Sequence, residues 1–137
     1  MKNLVIAAAL LSAPAFAGDF ELKGDAAKGA AHYKTFCVSC HGEKGDGNGP
    51  AGAALTPKPG NFTDPVNADH LTPEWVYKMV KNGGAANGKS AMMVPWSGAL
   101  NEQGLRDVSA YVLSFKPAKA EPAPAPAAAP AKKGKKK

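Results

Sequence analysis

Cysteine is scarce in this 137-residue sequence, where Cys37 and Cys40 are the only two. A structural zinc site wants four ligands, and no second cysteine pair exists to complete such a set. The glycine-rich segment "GEKGDGNG" lacks the Lys-Ser/Thr pair that a phosphate-binding P-loop requires. We also see no carboxylate pair or Ser-His pair that would support acid–base or nucleophilic catalysis. The sequence therefore predicts a protein that is not an enzyme.

Long apolar runs are missing after the first residues of the chain. Residues 1–17, "MKNLVIAAALLSAPAFA", join Lys2 to an apolar run from Leu4 to Leu11 and end in a small-residue A-x-A pattern. That pattern is typical of a secretory signal peptide, and the run is far shorter than the roughly 20 residues of a membrane-spanning helix. We expect cleavage after Ala17 and a periplasmic product.

Net charge is missing from the middle of the chain. Residues 18–116 carry ten Lys or Arg against ten Asp or Glu, whereas residues 117–137 carry six lysines and one glutamate. We therefore expect one domain at 18–116, a disordered Pro/Ala/Lys-rich tail at 117–137, and no nucleic-acid partner. The tail either contacts an anionic membrane surface or an acidic protein, or is solvated and dispensable.

The two cysteines stand in "FCVSCHG", directly before His41. A disulfide would close a very short loop and leave His41 unexplained, and a thioredoxin-like redox pair needs a preceding strand, whereas the flanking sequence favours helix. The spacing C-x-x-C-H is the signature of covalent haem attachment. Two thiols on one short turn can form thioethers to one edge of a porphyrin, and His41 then supplies the proximal imidazole.

Four segments carry a family resemblance. They are "GDAAKGAAHYKTFCVSCHG", "HGEKGDGNGPAGAALTPKPGNFTD", "MMVPW" and "AYVLSF". Together they span about residues 24 to 115 and resemble the small soluble monohaem class I cytochromes c of bacteria. The resemblance implies an all-α, cytochrome c-like fold in which three main helices and glycine- and proline-rich loops surround one haem c, bound covalently through Cys37 and Cys40.

A distal iron ligand remains to be found among the methionines and histidines. Met79 fits the core face of a helix, whereas Met92 and Met93 lie in an irregular loop. The resemblance favours Met93, because the ligand methionine of similar proteins stands three residues before an aromatic residue with a proline between them. Met92, His32 and His70 remain alternatives.

The resemblance implies two further contacts to the cofactor. It places the carbonyl of Pro50 against the free nitrogen of His41, which would fix the imidazole. It also allows the indole N–H of Trp96 to reach a haem propionate.

Helix signals support this fold. We predict a first helix from about Asp25 to Phe36, a middle helix between Thr72 and Asn82, and a last helix after Asn101. Gly29 costs its helix about 1 kcal/mol relative to alanine, so it predicts a close approach of another helix.

These features predict a monomeric periplasmic one-electron carrier with His41 and Met93 as axial ligands. Its partners would be redox proteins, a donor and an acceptor. One alternative is a haem c subunit of a larger oxidoreductase. Another is a haem sensor or haem enzyme with an open distal site.

Overall fold

Helices and loops make up residues 20–118, the part of the chain that the computed structural model describes. Within this range the α-helices are α1 (Ala26–Phe36), α2 (Val38–His41), α3 (Pro73–Asn82) and α4 (Glu102–Ser114), with short 3-10 helices at Gly52–Ala54, Pro65–His70 and Ala85–Asn87. These residues contain no strand, which confirms the predicted all-α class. The predicted signal peptide and nearly all of the predicted tail lie outside the described residues.

Each of the three longer helices begins at the cap that the sequence predicts. The Asp25 side chain accepts hydrogen bonds from the amides of Ala27 and Lys28. Thr72 accepts from the Trp75 amide, with a proline in the first turn of α3, and Asn101 accepts from the Gly104 amide. These side chains satisfy amides that have no partner inside the helix.

Helix α1 crosses α4 at glycine. A Cβ atom on Gly29 would lie 2.0 Å from the carbonyl oxygen of Asp107, and one on Gly24 would lie 2.2 Å from that of Arg106. The predicted close approach at Gly29 is confirmed, since only a residue without a side chain lets the two backbones come this near.

The core lies between these helices and contains eleven buried hydrophobic residues within the described range. They are Tyr33, Cys37, Leu71, Val76, Tyr77, Met79, Val80, Leu100, Leu105, Val108 and Val112. Met79 is thus a core residue, as predicted. No helix of residues 20–118 combines the length and the apolar character needed to cross a membrane.

Substitution of Gly29 by alanine is expected to destabilise the protein. The added methyl group would overlap a backbone carbonyl, and overpacking of this kind typically costs about 1–3 kcal/mol, which outweighs the gain of about 1 kcal/mol in helix propensity. Chemical denaturation of the haem-containing protein measures this loss. Gly98→Ala is the matched control, because a Cβ atom there would meet nothing within 4 Å; equal stability of the two variants would contradict the tight crossing.

Candidate functional site

The C-x-x-C-H motif forms a single helical turn at the end of α1. The Cys37 amide donates to the Tyr33 carbonyl at 2.9 Å, so Cys37 ends α1, and the same residue begins α2. The amides of Cys40 and His41 then donate to the Cys37 carbonyl at 3.1 and 2.8 Å. This geometry holds both thiols and the imidazole on one short segment of backbone.

Residues 47–62, which we call the strap, pack against this turn. The amides of Gly47, Gly49 and Ala51 donate to the carbonyls of His41, Cys40 and Ser39 at 2.9, 3.2 and 2.9 Å. These hydrogen bonds occupy carbonyls that the short helix α2 leaves without internal partners.

Glycine in the strap is required by this close contact. A Cβ atom on Gly52 would lie 2.1 Å from the Cys40 carbonyl oxygen, and one on Gly49 would lie 2.4 Å from that of Val38. The strap therefore fixes the backbone of the motif from outside.

Tyr33 supports the motif from the core side. Its hydroxyl donates a buried hydrogen bond of 2.8 Å to the carbonyl of Gly42, the residue that follows His41. Burial, and after it the neighbouring Cys37, raises the pKa of Tyr33 above its ordinary value, so the hydroxyl remains a donor. The rings of Tyr111 and Phe115 each lie 5.2 Å from the Tyr33 ring, and they hold the hydroxyl in place.

His41 is oriented by the end of the strap. Its Nδ1 atom lies 3.4 Å from the carbonyl oxygen of Gly60, and its ring stacks on Phe62 with centroids 4.7 Å apart and planes 18° apart. With the proton on Nδ1 facing this carbonyl, Nε2 is left with a free lone pair for a metal. Burial holds the pKa of His41 below its ordinary value, although the hydrogen bond to Gly60 acts in the opposite direction.

The carbonyl next to Nδ1 differs from the predicted one. The structure gives Gly60 as the hydrogen-bond partner, whereas the family resemblance implies Pro50, an exposed residue near the start of the strap. Any role of Pro50 toward His41 stays a prediction. The contact with Gly60 could not be predicted, because every residue type supplies a backbone carbonyl and such a contact leaves no signature in the sequence.

The Cys37 thiol lacks the lowered pKa that is typical of a redox-active C-x-x-C motif. Both cysteines are free, and burial, with a further contribution from Cys40, raises the pKa of the Cys37 thiol to about 12. A redox-active C-x-x-C motif instead has a lowered thiol pKa. Across residues 20–118, no three His, Cys, Asp or Glu side chains lie together as a metal-ion site would require.

The loop that contains the two adjacent methionines, residues 83–96, is held by the C-terminal end of α3. We call it the methionine loop. The Gly84 amide donates to the Met93 carbonyl at 2.7 Å, and the Trp96 amide donates to the Val80 carbonyl at 3.0 Å. Met93 is half-buried, whereas 64% of the Met92 surface is exposed. This difference in exposure agrees with the preference for Met93, whose role as a ligand stays a prediction.

The other predicted site residues lie in varied surroundings. The Trp96 ring packs on Phe36, with centroids 5.0 Å apart, next to the motif, and its bond to a propionate stays a prediction. His32 lines a surface groove between α1 and the start of α4, and His70 is exposed on a 3-10 helix.

The side chains around the motif fit a haem group. The donor set consists of two thiols for thioether bonds and an imidazole whose free nitrogen suits iron. Several large apolar residues near the core are only partly covered by protein: Phe36, Val38, Phe62, Trp75 and Trp96. They leave apolar surface near the core that is available to a bound porphyrin.

Comparison with known proteins agrees with this site. The sequence profile of the family described as Cytochrome c matches residues 26–116. Cytochrome c-554(547) of Halothiobacillus neapolitanus is 34% identical over 97 residues, which cover 68% of this chain and 99% of that protein. Cytochrome c-554(548) of Halomonas halodenitrificans is 33% identical over 91 residues, which cover 66% of this chain and 96% of that protein.

Two solved structures are also similar. The Kuenenia stuttgartiensis reducing HAO-like protein complex Kustc0457/Kustc0458 contains a chain that matches with a TM-score of 0.52 and 29% identity, over 65% of this chain and 41% of that one. The KustC0563 c-type cytochrome matches with a TM-score of 0.51 and 21% identity, over 65% of this chain and 98% of that one; this second match supports the fold. The chain therefore belongs to the cytochrome c family: it is a small class I c-type cytochrome, carries covalently bound haem c and takes part in electron transport.

Proposed function

We propose that this cytochrome is a periplasmic carrier of single electrons whose haem is bound through Cys37 and Cys40 and ligated by His41 and Met93. The observation that carries the proposal is the C-x-x-C-H turn with its imidazole held at Nδ1. A half-buried methionine in a loop fixed to α3 supports the choice of distal ligand. The haem supplies the change between ferric and ferrous iron.

The protein side chains then have separate tasks. Cys37 and Cys40 keep the cofactor from leaving, and Gly60 and Phe62 hold the plane of the His41 imidazole. A thioether from Met93 would favour ferrous iron and raise the reduction potential. A site with both axial positions filled suits electron transfer, because neither oxidation state needs to gain or lose a ligand.

This proposal differs in a measurable way from a haem sensor or haem enzyme with an open distal site. We expect a redox titration to show a one-electron transition. We also expect a low-spin ferric spectrum with the weak red band of a sulfur–iron bond, and slow or absent binding of carbon monoxide to the ferrous protein. A high-spin spectrum with rapid binding of carbon monoxide would contradict the carrier and support an open site.

A second candidate function is that of a haem subunit in a larger oxidoreductase. It is favoured by the similarity to a chain of the HAO-like complex, of which this chain spans less than half. The two relatives at 34% and 33% identity favour the free carrier instead, because the match covers nearly their whole length. Gel filtration of the native extract separates the two, since a free carrier elutes at the size of the monomer and a subunit elutes with its complex.

Export and partner contact complete the proposal. We propose that residues 1–17 direct export and are removed after Ala17, because the segment has the composition of a signal peptide. The donor and acceptor would be redox proteins that meet the carrier in short-lived encounters. The lysines of residues 117–137 would add attraction to an anionic membrane surface, worth about 1 kcal/mol for each lysine near it.

A further inference from the structure

The methionine loop is tied to α3 by one side chain, that of Asn87. Its amide nitrogen donates two hydrogen bonds, one of 2.7 Å to the carbonyl of Gly83 and one of 3.2 Å to the carbonyl of Lys78. The side-chain amide has two N–H donors, so both are used. Asn87 is half-buried, so water competes only in part for these hydrogen bonds.

One acceptor, the carbonyl of Lys78, lies in the second half of α3, and the other belongs to Gly83, the residue that directly follows the helix. The carbonyls at the C-terminal end of a helix carry partial negative charge, which favours donors placed against them. Asn87 belongs to the short 3-10 helix Ala85–Asn87 within the methionine loop. Its side chain therefore joins the loop to α3 at Lys78 and also closes the turn that begins at Gly83.

The backbone around Gly84 continues this connection to the predicted ligand. The amides of Asn87 and Lys89 donate to the Gly84 carbonyl at 2.9 and 2.8 Å, and the Gly84 amide donates to the Met93 carbonyl at 2.7 Å. A Cβ atom on Gly84 would lie 2.1 Å from the carbonyl oxygen of Ser90. Asn87 and Met93 are thus both hydrogen-bonded to the backbone of Gly84: Asn87 to its carbonyl and Met93 to its amide.

We infer that Asn87 is a positioning residue for Met93: by holding the methionine loop against α3, it sets how firmly the distal ligand stays on the iron against competing ligands. This inference rests on the proposed ligation by Met93. An aspartate has nearly the same shape as asparagine, but its ionised side chain has no donor. Asn87→Asp would place negative charge against two carbonyl oxygens and the negative end of the α3 dipole.

The test uses imidazole as a probe on the ferric, haem-containing protein. Imidazole reaches the iron only when the methionine leaves, so its binding rate at high concentration measures opening of the loop. We expect Asn87→Asp to bind imidazole faster than the wild type by on the order of ten-fold or more, and Asn87→Ala to show a smaller increase in the same direction.

Asn82→Asp is the matched control. Asn82 is also followed by glycine and lies at the end of α3. It is exposed, and its side chain takes no part in the two hydrogen bonds to Lys78 and Gly83. The Asn82→Asp substitution introduces the same charge near the same helix end. Because the charge is exposed, we expect this variant to bind imidazole at a rate within about two-fold of the wild type. Far-UV circular dichroism checks that all variants keep their helices. If Asn87→Asp does not fold, the imidazole measurement is made on Asn87→Ala instead.

The outcomes separate this inference from the proposed function. If the wild type shows the sulfur–iron band and the Asn87 variants bind imidazole no faster than Asn82→Asp, Asn87 has a structural role at most and the inference is wrong. If the wild type has no such band and binds imidazole at once, ligation by Met93 is wrong, and the inference falls with it.

Discussion

Replacement of both Cys37 and Cys40 by alanine is expected to yield a colourless chain that is largely unfolded. Helices α1, α3 and α4 contain 11, 10 and 13 residues, and helices shorter than about 12–15 residues are marginal alone in water. The protein core has eleven buried hydrophobic residues within the described range. Haem supplies the remaining apolar centre, and without thioether bonds it can be lost.

Mass spectrometry and far-UV circular dichroism measure this result after expression with a working haem-attachment system. Ser39→Ala is the matched control, because Ser39 lies between the two cysteines and is exposed. We expect it to keep the haem and the helices. A double cysteine variant that remained red after denaturation, with a mass that includes haem, would show that other residues attach the cofactor.

Met93→Ala is expected to convert a six-coordinate site into an open one. Loss of the thioether removes the ligand that favours ferrous iron, so the reduction potential should fall by on the order of 0.1 V, within the roughly 0.8 V that axial ligands span. The red sulfur–iron band should vanish, and carbon monoxide should bind the ferrous protein rapidly.

Met92→Ala is the control for this experiment, since it removes the adjacent methionine. Because 64% of the Met92 surface is exposed, we expect its spectrum and potential to match those of the wild type. If Met92→Ala lost the band and Met93→Ala kept it, the ligand would be Met92. If both variants kept it, either methionine could serve as the sulfur ligand, and the double variant would have to be tested; a wild type without the band would direct the test to His32 and His70.

The fold could be predicted from the sequence to the extent that its signals are local. Asp25, Thr72 and Asn101 cap their helices through amides two or three residues away, so a short stretch of sequence contains the whole interaction. Gly29 is a different case: its cost to the helix predicted a close neighbour, although the contact with Asp107 lies far along the chain.

The site could be predicted only in part, because its remaining contacts are between distant backbone atoms. The C-x-x-C-H motif can be recognised from its side chains. The carbonyl of Gly60 that contacts His41 is a backbone group, and any residue could have supplied it. Met92 and Met93 are adjacent, so spacing alone separates them poorly. The structure adds that Met93 is the less exposed of the two, and its role as the ligand stays a prediction. In the sequence, Asn87 is an ordinary turn residue before glycine. Its positioning role can be proposed only because the structure shows its two hydrogen-bond acceptors.

The most direct test of the account is peptide mass spectrometry on the purified wild-type protein, expressed with a haem-attachment system and digested after denaturation. We predict that the fragment containing residues 37–41 carries the added mass of one haem, and that both cysteines are blocked to alkylation. A fragment of unmodified mass with two alkylated cysteines would contradict it, because no other part of the proposal stands without that bond.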